Sequence, residues 1–284
     1  MSITPDIFRY RPTSPVGSVF PGAHPGQMVG SGQLFKRHEP LIASPDPRRI
    51  DLRASVLDPF GGYRVRVYQQ KSTLDVYLIA DLSASMSFSG RLDKQRMLID
   101  FLLSAASSAF SYGDNFGFIG CGSQLEQRWL VQGCRQMGRI RVLANQLQNH
   151  VFAQGSESLT ETARYLPASR ALVFLLSDFH FGADRLHNLM HALHRHDVVP
   201  LVLWDNAEYL DLPQWGLVKY RDMENGSMRT LFMRPALRRK IVQAYELRRR
   251  QLQRAFRAFG AEPLFFDGHY QAAHVDRYFQ QRAA

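Results

Sequence analysis

Cysteine is scarce in this chain: Cys121 and Cys134 are the two in 284 residues. They form neither a Cys-x-x-Cys pair nor a disulfide framework, which excludes a thiol-redox motif and a stapled secreted scaffold. Long hydrophobic runs are also missing, and none reaches the roughly 18 residues of a membrane span. Residues 1–10 lack a basic stretch followed by an apolar one, so no secretory signal is read there and a cytoplasmic protein is expected. There is no Gly-x-Ser-x-Gly elbow and no Walker loop. Position 83 is Ser, which excludes an Asp-x-Asp phosphatase nucleophile. Acid is the minority charge, 25 Asp and Glu against 35 Lys and Arg, and the formal charge of +10 invites acidic partners. With 45% hydrophobic and 21% charged residues, the composition is that of a globular protein of one large or two small domains.

What is present begins with residues 1–33, rich in Pro, Gly and Ser, which predict a flexible arm. Residues 34–74 follow, with Pro45 and Pro47 arguing against regular structure before a strand at 63–68 that alternates basic and apolar residues. From Asp75 to residue 284 the pattern becomes strands alternating with helices, the signature of an α/β sheet, mostly parallel, with helices on both faces. Strands are expected at 76–80, 115–121, 125–131, 171–176, 198–203 and 262–266. Helices are expected at 92–110, 138–151, 161–166, 183–196, 235–259 and 272–281. Glu224-Asn225-Gly226 predicts the turn of a β-hairpin inserted near 217–233.

The stretch from Asp75 to Met86 runs from an apolar strand into a loop bearing Asp81, Ser83 and Ser85. Three hard oxygen donors at i, i+2 and i+4 suit a small hard cation such as Mg²⁺, or Mn²⁺ or Ca²⁺ in its place. In an open α/β sheet, ligands sit outside the carboxyl ends of strands where strand order reverses. Two other loops belong to that edge: residues 154–162, dense in hydroxyls including Ser158 and Thr160, and residues 175–179, with Asp178 after an apolar strand. Converging, these groups predict a divalent-ion site with an open position for a carboxylate of a partner protein. The plainer alternative is that Asp81, Asp178 and Ser158 or Thr160 cap helices.

Asp-x-Ser-x-Ser at 81–85 resembles the metal-ion-dependent adhesion site of von Willebrand factor A domains, and residues 75–284 as a whole look like such a domain. The resemblance implies a Ser or Thr ligand five residues before a helical Ala. Counting back from Ala163 gives Ser158, with Thr160 as the alternative, and Asp178 matches the third-loop Asp. Pro-Asp-Pro-Arg-Arg-Ile-Asp-Leu-Arg-Ala-Ser at 45–55, followed by the basic strand and Asp-x-Ser-x-Ser-Met, resembles the MoxR-associated proteins of domain-of-unknown-function family 58. Pro45 and Leu52 stand where that family usually has Gly and Trp. The short form is similar to the MxaS-type members encoded with methanol-oxidation genes. The resemblance implies a non-enzymatic, metal-dependent protein-binding module. It would act as adaptor or co-chaperone with a MoxR-type AAA+ ATPase in maturation of, or metal insertion into, a client enzyme such as methanol dehydrogenase. Arg48, Arg49 and Arg53 would offer a second docking surface.

His187, His191 and His194, with His196 just beyond, share helical spacing but have no carboxylate companion, and a solvated face is expected. The helix from Pro235 carries Arg238, Arg239, Lys240, Arg248, Arg249, Arg250, Arg254 and Arg257, with Glu246 as the acid in reach. It suits docking on an acidic protein surface better than binding an anionic polymer such as nucleic acid. A metal-dependent phosphoester hydrolase on the same three loops is the enzymatic alternative, and it lacks a visible nucleophile.

Overall fold

Val76 to Ala80 is an apolar run without a charged side chain, and a strand of that kind is stable only with both faces covered. The computed structural model describes residues 6–13, 20–30, 34–87, 90, 92–152, 155–205, 212–221 and 228–282. In chain order the elements are β1 (Pro21–Gly30), β2 (Leu34–Pro40), α1 (Leu52–Val56), β3 (Arg64–Ser72) and β4 (Asp75–Asp81). Next come α2 (Lys94–Ser111), β5 (Asn115–Cys121), β6 (Leu130–Cys134), α3 (Met137–Gln148), β7 (Leu172–Ser177), α4 (Ala183–Ala192) and β8 (Asp197–Leu203). The last are β9 (Gly216–Arg221), β10 (Met228–Met233), α5 (Pro235–Arg257), β11 (Leu264–Phe266) and α6 (Ala272–Arg282).

A six-stranded sheet in the order β11-β8-β7-β4-β5-β6 organises the chain. All its pairs are parallel except β5–β6. Alternate residues of β4 feed two cores: Val76, Leu78 and Ala80 join Phe101 and Leu102 of α2, while Tyr77 and Ile79 join Leu189 of α4 and Phe256 of α5. From β4 the chain passes to β5 on one side and later returns to β7 on the other. The crevice at the carboxyl ends of β4 and β7 is therefore the switch point where ligands bind in such sheets. Among the described residues, no helix is long and apolar enough to cross a membrane.

The N-terminal region departs from expectation. Phe8 and Tyr10 are buried in the main core, with Phe8 against Phe101 and Phe174 at ring distances of 5.8 Å each. The Tyr10 hydroxyl donates to Asp114, which also accepts from His24 at 2.7 Å and from the Leu74 amide at 2.8 Å. β1 pairs with β3 in a three-stranded antiparallel sheet, β1-β3-β2, so the expected boundary at 33/34 cuts through one sheet. Average composition hides two aromatic anchors among the Pro and Gly residues. Pro45 and Pro47 do not exclude local order either: Pro47 opens a 3₁₀ turn, Pro47–Arg49, and Asp51 caps α1.

Smaller corrections concern ends of elements. The strand expected at 125–131 starts at Leu130, because Gln127–Trp129 forms a 3₁₀ turn. The short helix expected at 161–166 is a 3₁₀ stretch over Glu157–Tyr165. α4 stops at Ala192, and His194 folds back so that its Nδ1 meets the His191 carbonyl at 2.7 Å. β9 and β10 pair as the expected hairpin, with Arg221 opposite Met228, while Glu224-Asn225-Gly226 lies outside the described residues.

Candidate functional site

β4 delivers Asp81 to the crevice, and β7 ends one residue before Asp178. The Asp81 carboxylate accepts the Ser83 amide at 2.9 Å on one oxygen and the Ser177 hydroxyl at 2.7 Å on the other. The first bond is a local Asx-type closure that turns the chain out of the strand, and the second ties β4 to β7. Ser83 and Ser85 place their hydroxyl oxygens 3.1 Å apart on the 3₁₀ turn Ala84–Ser87. Ser85 also helps hold the Asp178 carboxyl below its ordinary value, and one ammonium, Lys94 Nζ, meets both the Ser85 carbonyl and Asp178 Oδ2. Four of the six expected ligands, Asp81, Ser83, Ser85 and Asp178, thus meet in one network.

Ser158 and Thr160 do not join it. The Ser158 hydroxyl donates to the Gly122 carbonyl at 2.8 Å, tying the second loop to the end of β5. Thr160 is turned away and donates to the Glu157 carbonyl at 3.3 Å. Both hydroxyls donate to backbone carbonyls, Ser158 across to the residue after β5 and Thr160 within its own 3₁₀ stretch.

A residue not anticipated from the sequence completes the site. Lys94, the first residue of α2, places its ammonium 3.0 Å from Asp178 Oδ2 and 3.4 Å from the Ser85 carbonyl. The two side chains of this pair are 1% and 2% exposed. A visible signal existed: a Lys in the first helical turn faces the positive end of the helix dipole and needs a local anion to be tolerated. Ser177 and two supports were missed as well. Trp204 donates from Nε1 to the Asp178 carbonyl at 2.7 Å, and Arg248 of α5 donates to the Phe179 and Phe181 carbonyls at 3.2 and 2.6 Å. These bonds hold the loop in which Phe179 adopts a positive φ of 54°.

Electrostatics separates the two carboxylates. Burial and the neighbouring Asp178 both push the Asp81 carboxyl up. Burial also acts upward on Asp178, but Lys94 and His180 outweigh it and hold that carboxyl below its ordinary value. The Cys121 thiol, buried beside Asp81, is pushed well up, which makes it an inert packed group. The expected divalent ion fits this donor set poorly. Asp178 is already neutralised by Lys94, Asp81 and Ser83 are sealed from solvent, and the second loop contributes no ligand to the network. At 4 Å, each unit of like charge facing the ammonium costs about 4 kcal/mol at an effective dielectric of ~20.

Elsewhere, Arg49 pairs with Asp46 at 3.1 Å and lies over the Tyr68 ring, whereas Arg48 and Arg53 are exposed. Beside them Ile42, Leu52, Val56, Leu57 and Phe60 stand in solvent, Ile42 at 96% and Phe60 at 90% exposure. His187, His191 and His194 line an exposed face. Among the described residues, no group of three His, Cys, Asp or Glu is placed to hold a metal. On α5, Glu246 is not the only acid in reach: Glu262 binds Arg257 through both carboxylate oxygens at 2.7 and 2.8 Å. Arg238 and Arg248 are turned onto backbone carbonyls, and Arg249 stacks over Phe265. The helix is less of a free cationic face than its sequence suggests.

The chain is 25% identical over 241 residues to the Mycobacterium tuberculosis protein Rv1480, covering 84% of this chain and 73% of that protein. It is 32% identical over 102 residues to a Paracoccus denitrificans protein described as lying in the moxR 3′ region, covering 36% of this chain and 97% of that one. Among solved structures it is similar to BatB of Bacteroides thetaiotaomicron, at 13% identity and a TM-score of 0.42, over 74% of this chain and 98% of that one. Residues 47–251 match the family described as protein of unknown function DUF58. That match spans well over half of the sequence, and the chain belongs to the DUF58 family.

Proposed function

We propose that this chain is a non-enzymatic protein-binding module, an adaptor that works with a MoxR-type AAA+ ATPase in the maturation of a client enzyme. The observation that carries the reading is the exposed apolar group of residues 42–60. Five large side chains, Ile42, Leu52, Val56, Leu57 and Phe60, remain in solvent next to Arg48 and Arg53. Large apolar side chains left in solvent this densely along one short segment, among charged residues, fit a protein interaction site better than a monomer's ordinary surface, where exposed apolar residues are scattered singly. The basic rim and the formal charge of +10 suit an acidic partner. The choice of ATPase rests on the Paracoccus relative, whose description sets it in the moxR 3′ region. Methanol dehydrogenase, implied by the resemblance to MxaS-type members, is one candidate client.

A phosphoester hydrolase built on the three loops is the weaker reading, because Asp81 and Asp178 are both sealed and a water nucleophile needs access. The adaptor reading is tested by co-purifying the chain with the MoxR-type ATPase of the same genome. Leu57→Glu with Phe60→Glu is expected to weaken binding at least about tenfold, since replacing a buried hot-spot anchor costs about 2 kcal/mol or more. The circular dichroism spectrum should be unchanged. Full affinity in that variant would sink the surface assignment. Steady phosphoester turnover by the purified chain would favour the enzyme instead.

A further inference from the structure

Asp81 and Asp178 put two carboxylates at one buried crevice, and like charges sealed from water need a compensating cation. We infer that the cradle carries its own: the Lys94 ammonium stands in place of a divalent ion and holds the loops after β4 and β7 together without metal. This rests on the geometry of the crevice and is independent of the docking surface at residues 42–60.

Position is the first argument. The ammonium bridges two loops, meeting Asp178 Oδ2 of the third at 3.0 Å and the Ser85 carbonyl of the first at 3.4 Å. That is the part a shared ion plays in joining separated ligands. Charge is the second. Two carboxylates and one ammonium sum to −1 before the neighbouring His180 is counted, and the charge on Asp81 is held by the Ser83 amide and the Ser177 hydroxyl. Adding a divalent ion would turn the sealed site to +1 beside the N-terminus of α2, whose dipole also disfavours positive charge. Burial is the third. A lysine is almost never sealed to 1% exposure unless paired, and this pair spans 84 residues of sequence. Such a contact acts as a tertiary staple between the start of α2 and the end of β7. Finally, the Ser158 and Thr160 hydroxyls, which would complete an ion's shell, donate to the Gly122 and Glu157 carbonyls instead.

The test uses the full chain, with MnCl₂ and MgCl₂ at millimolar concentration as probes and EDTA as chelator. The expected result is that wild-type protein binds no Mn²⁺ by electron paramagnetic resonance and melts within about 1 °C of the same temperature in all three solutions. Lys94→Met, which strands the carboxylates, is expected to lower the melting temperature by about 6–12 °C, as loss of one partner of a buried pair does in a protein of this size. That variant should recover part of the loss on adding Mn²⁺, now drawn to the uncompensated site. Lys94→Met with Asp178→Asn, which removes both charges, should melt closer to wild type than the single variant and ignore Mn²⁺. One Mn²⁺ bound per wild-type chain, a wild-type melting temperature that falls in EDTA, or a single variant as stable as wild type would each overturn the inference. Should Lys94→Met fail to fold, Mn²⁺ binding by the wild type decides the matter alone.

Discussion

Asp51 joins the three-stranded sheet to α1. Its carboxylate accepts from Arg66 at 2.8 Å, caps α1 through the Arg53 and Ala54 amides, and lies 3.1 Å from a His38 ring nitrogen. The Arg66 bond, then the Ala54 amide and His38, hold it well below the usual carboxylate range. A carboxyl lowered in the folded state adds stability that is present above about pH 4, its unfolded value, and is lost as pH falls further. Wild-type urea midpoints should therefore fall more steeply from pH 5 to pH 3 than those of Asp51→Asn, and equal slopes would remove the assignment. Phe8 makes a second prediction at this scale. It is fully buried against Phe101 and Phe174, so Phe8→Ala should cost about 3–5 kcal/mol in chemical denaturation. A change within experimental error would mean that the N-terminal stretch does not dock as described.

At the scale of elements, β4 and β7 position the site and α5 braces it from behind. Arg248 reaches from α5 to the Phe179 and Phe181 carbonyls, just beyond Asp178. Replacing Arg248 by Ala leaves those carbonyls without this charged donor, and the cost is expected at about 1–3 kcal/mol. Hydrogen exchange should accelerate in residues 178–182 while β4 stays protected, and unchanged exchange there would remove α5 from its bracing role. The long helix thus spends part of its arginine content inside the molecule. That explains why a count of its basic residues overstates the charge it offers to a polyanion.

For the molecule as a whole, a two-sided α/β sheet carries a smaller antiparallel sheet whose attached segment, residues 41–63, leaves its apolar side chains in water. The conserved geometry of an open sheet puts the sealed crevice at the switch point, whereas the exposed group lies on the N-terminal part. Stabilisation and docking are on this reading assigned to different regions, so Lys94→Met and Phe60→Glu should have separable effects, the first on melting and the second on partner affinity.

Much of this was legible in residue order, because it rests on local rules. Short apolar runs bounded by Gly and Asp could only be strands covered on both faces, and β4, β5, β7 and β8 lie within a residue of where those runs stand. The Asp-x-Ser-x-Ser loop, and Asp178 at the end of another such strand, followed from the same pattern, as did the hairpin and the start of α5 at Pro235. What tertiary structure alone decided are pairings between distant segments. Phe8 and Tyr10 fold into the core because a cavity shaped by α2, β7 and α6 receives them, which Pro- and Gly-rich composition cannot report. Ser158 turns to the Gly122 carbonyl because the 3₁₀ stretch Glu157–Tyr165 packs against β5, while Thr160 bonds the Glu157 carbonyl of that stretch itself. In sequence Lys94 is marked only by its place in the first turn of a helix; the approach of α2 to the end of β7 decides which carboxylate its ammonium neutralises. Local chemistry set out the strands and the oxygen-rich loops, and the packing of segments far apart in the chain determined which cation those loops enclose.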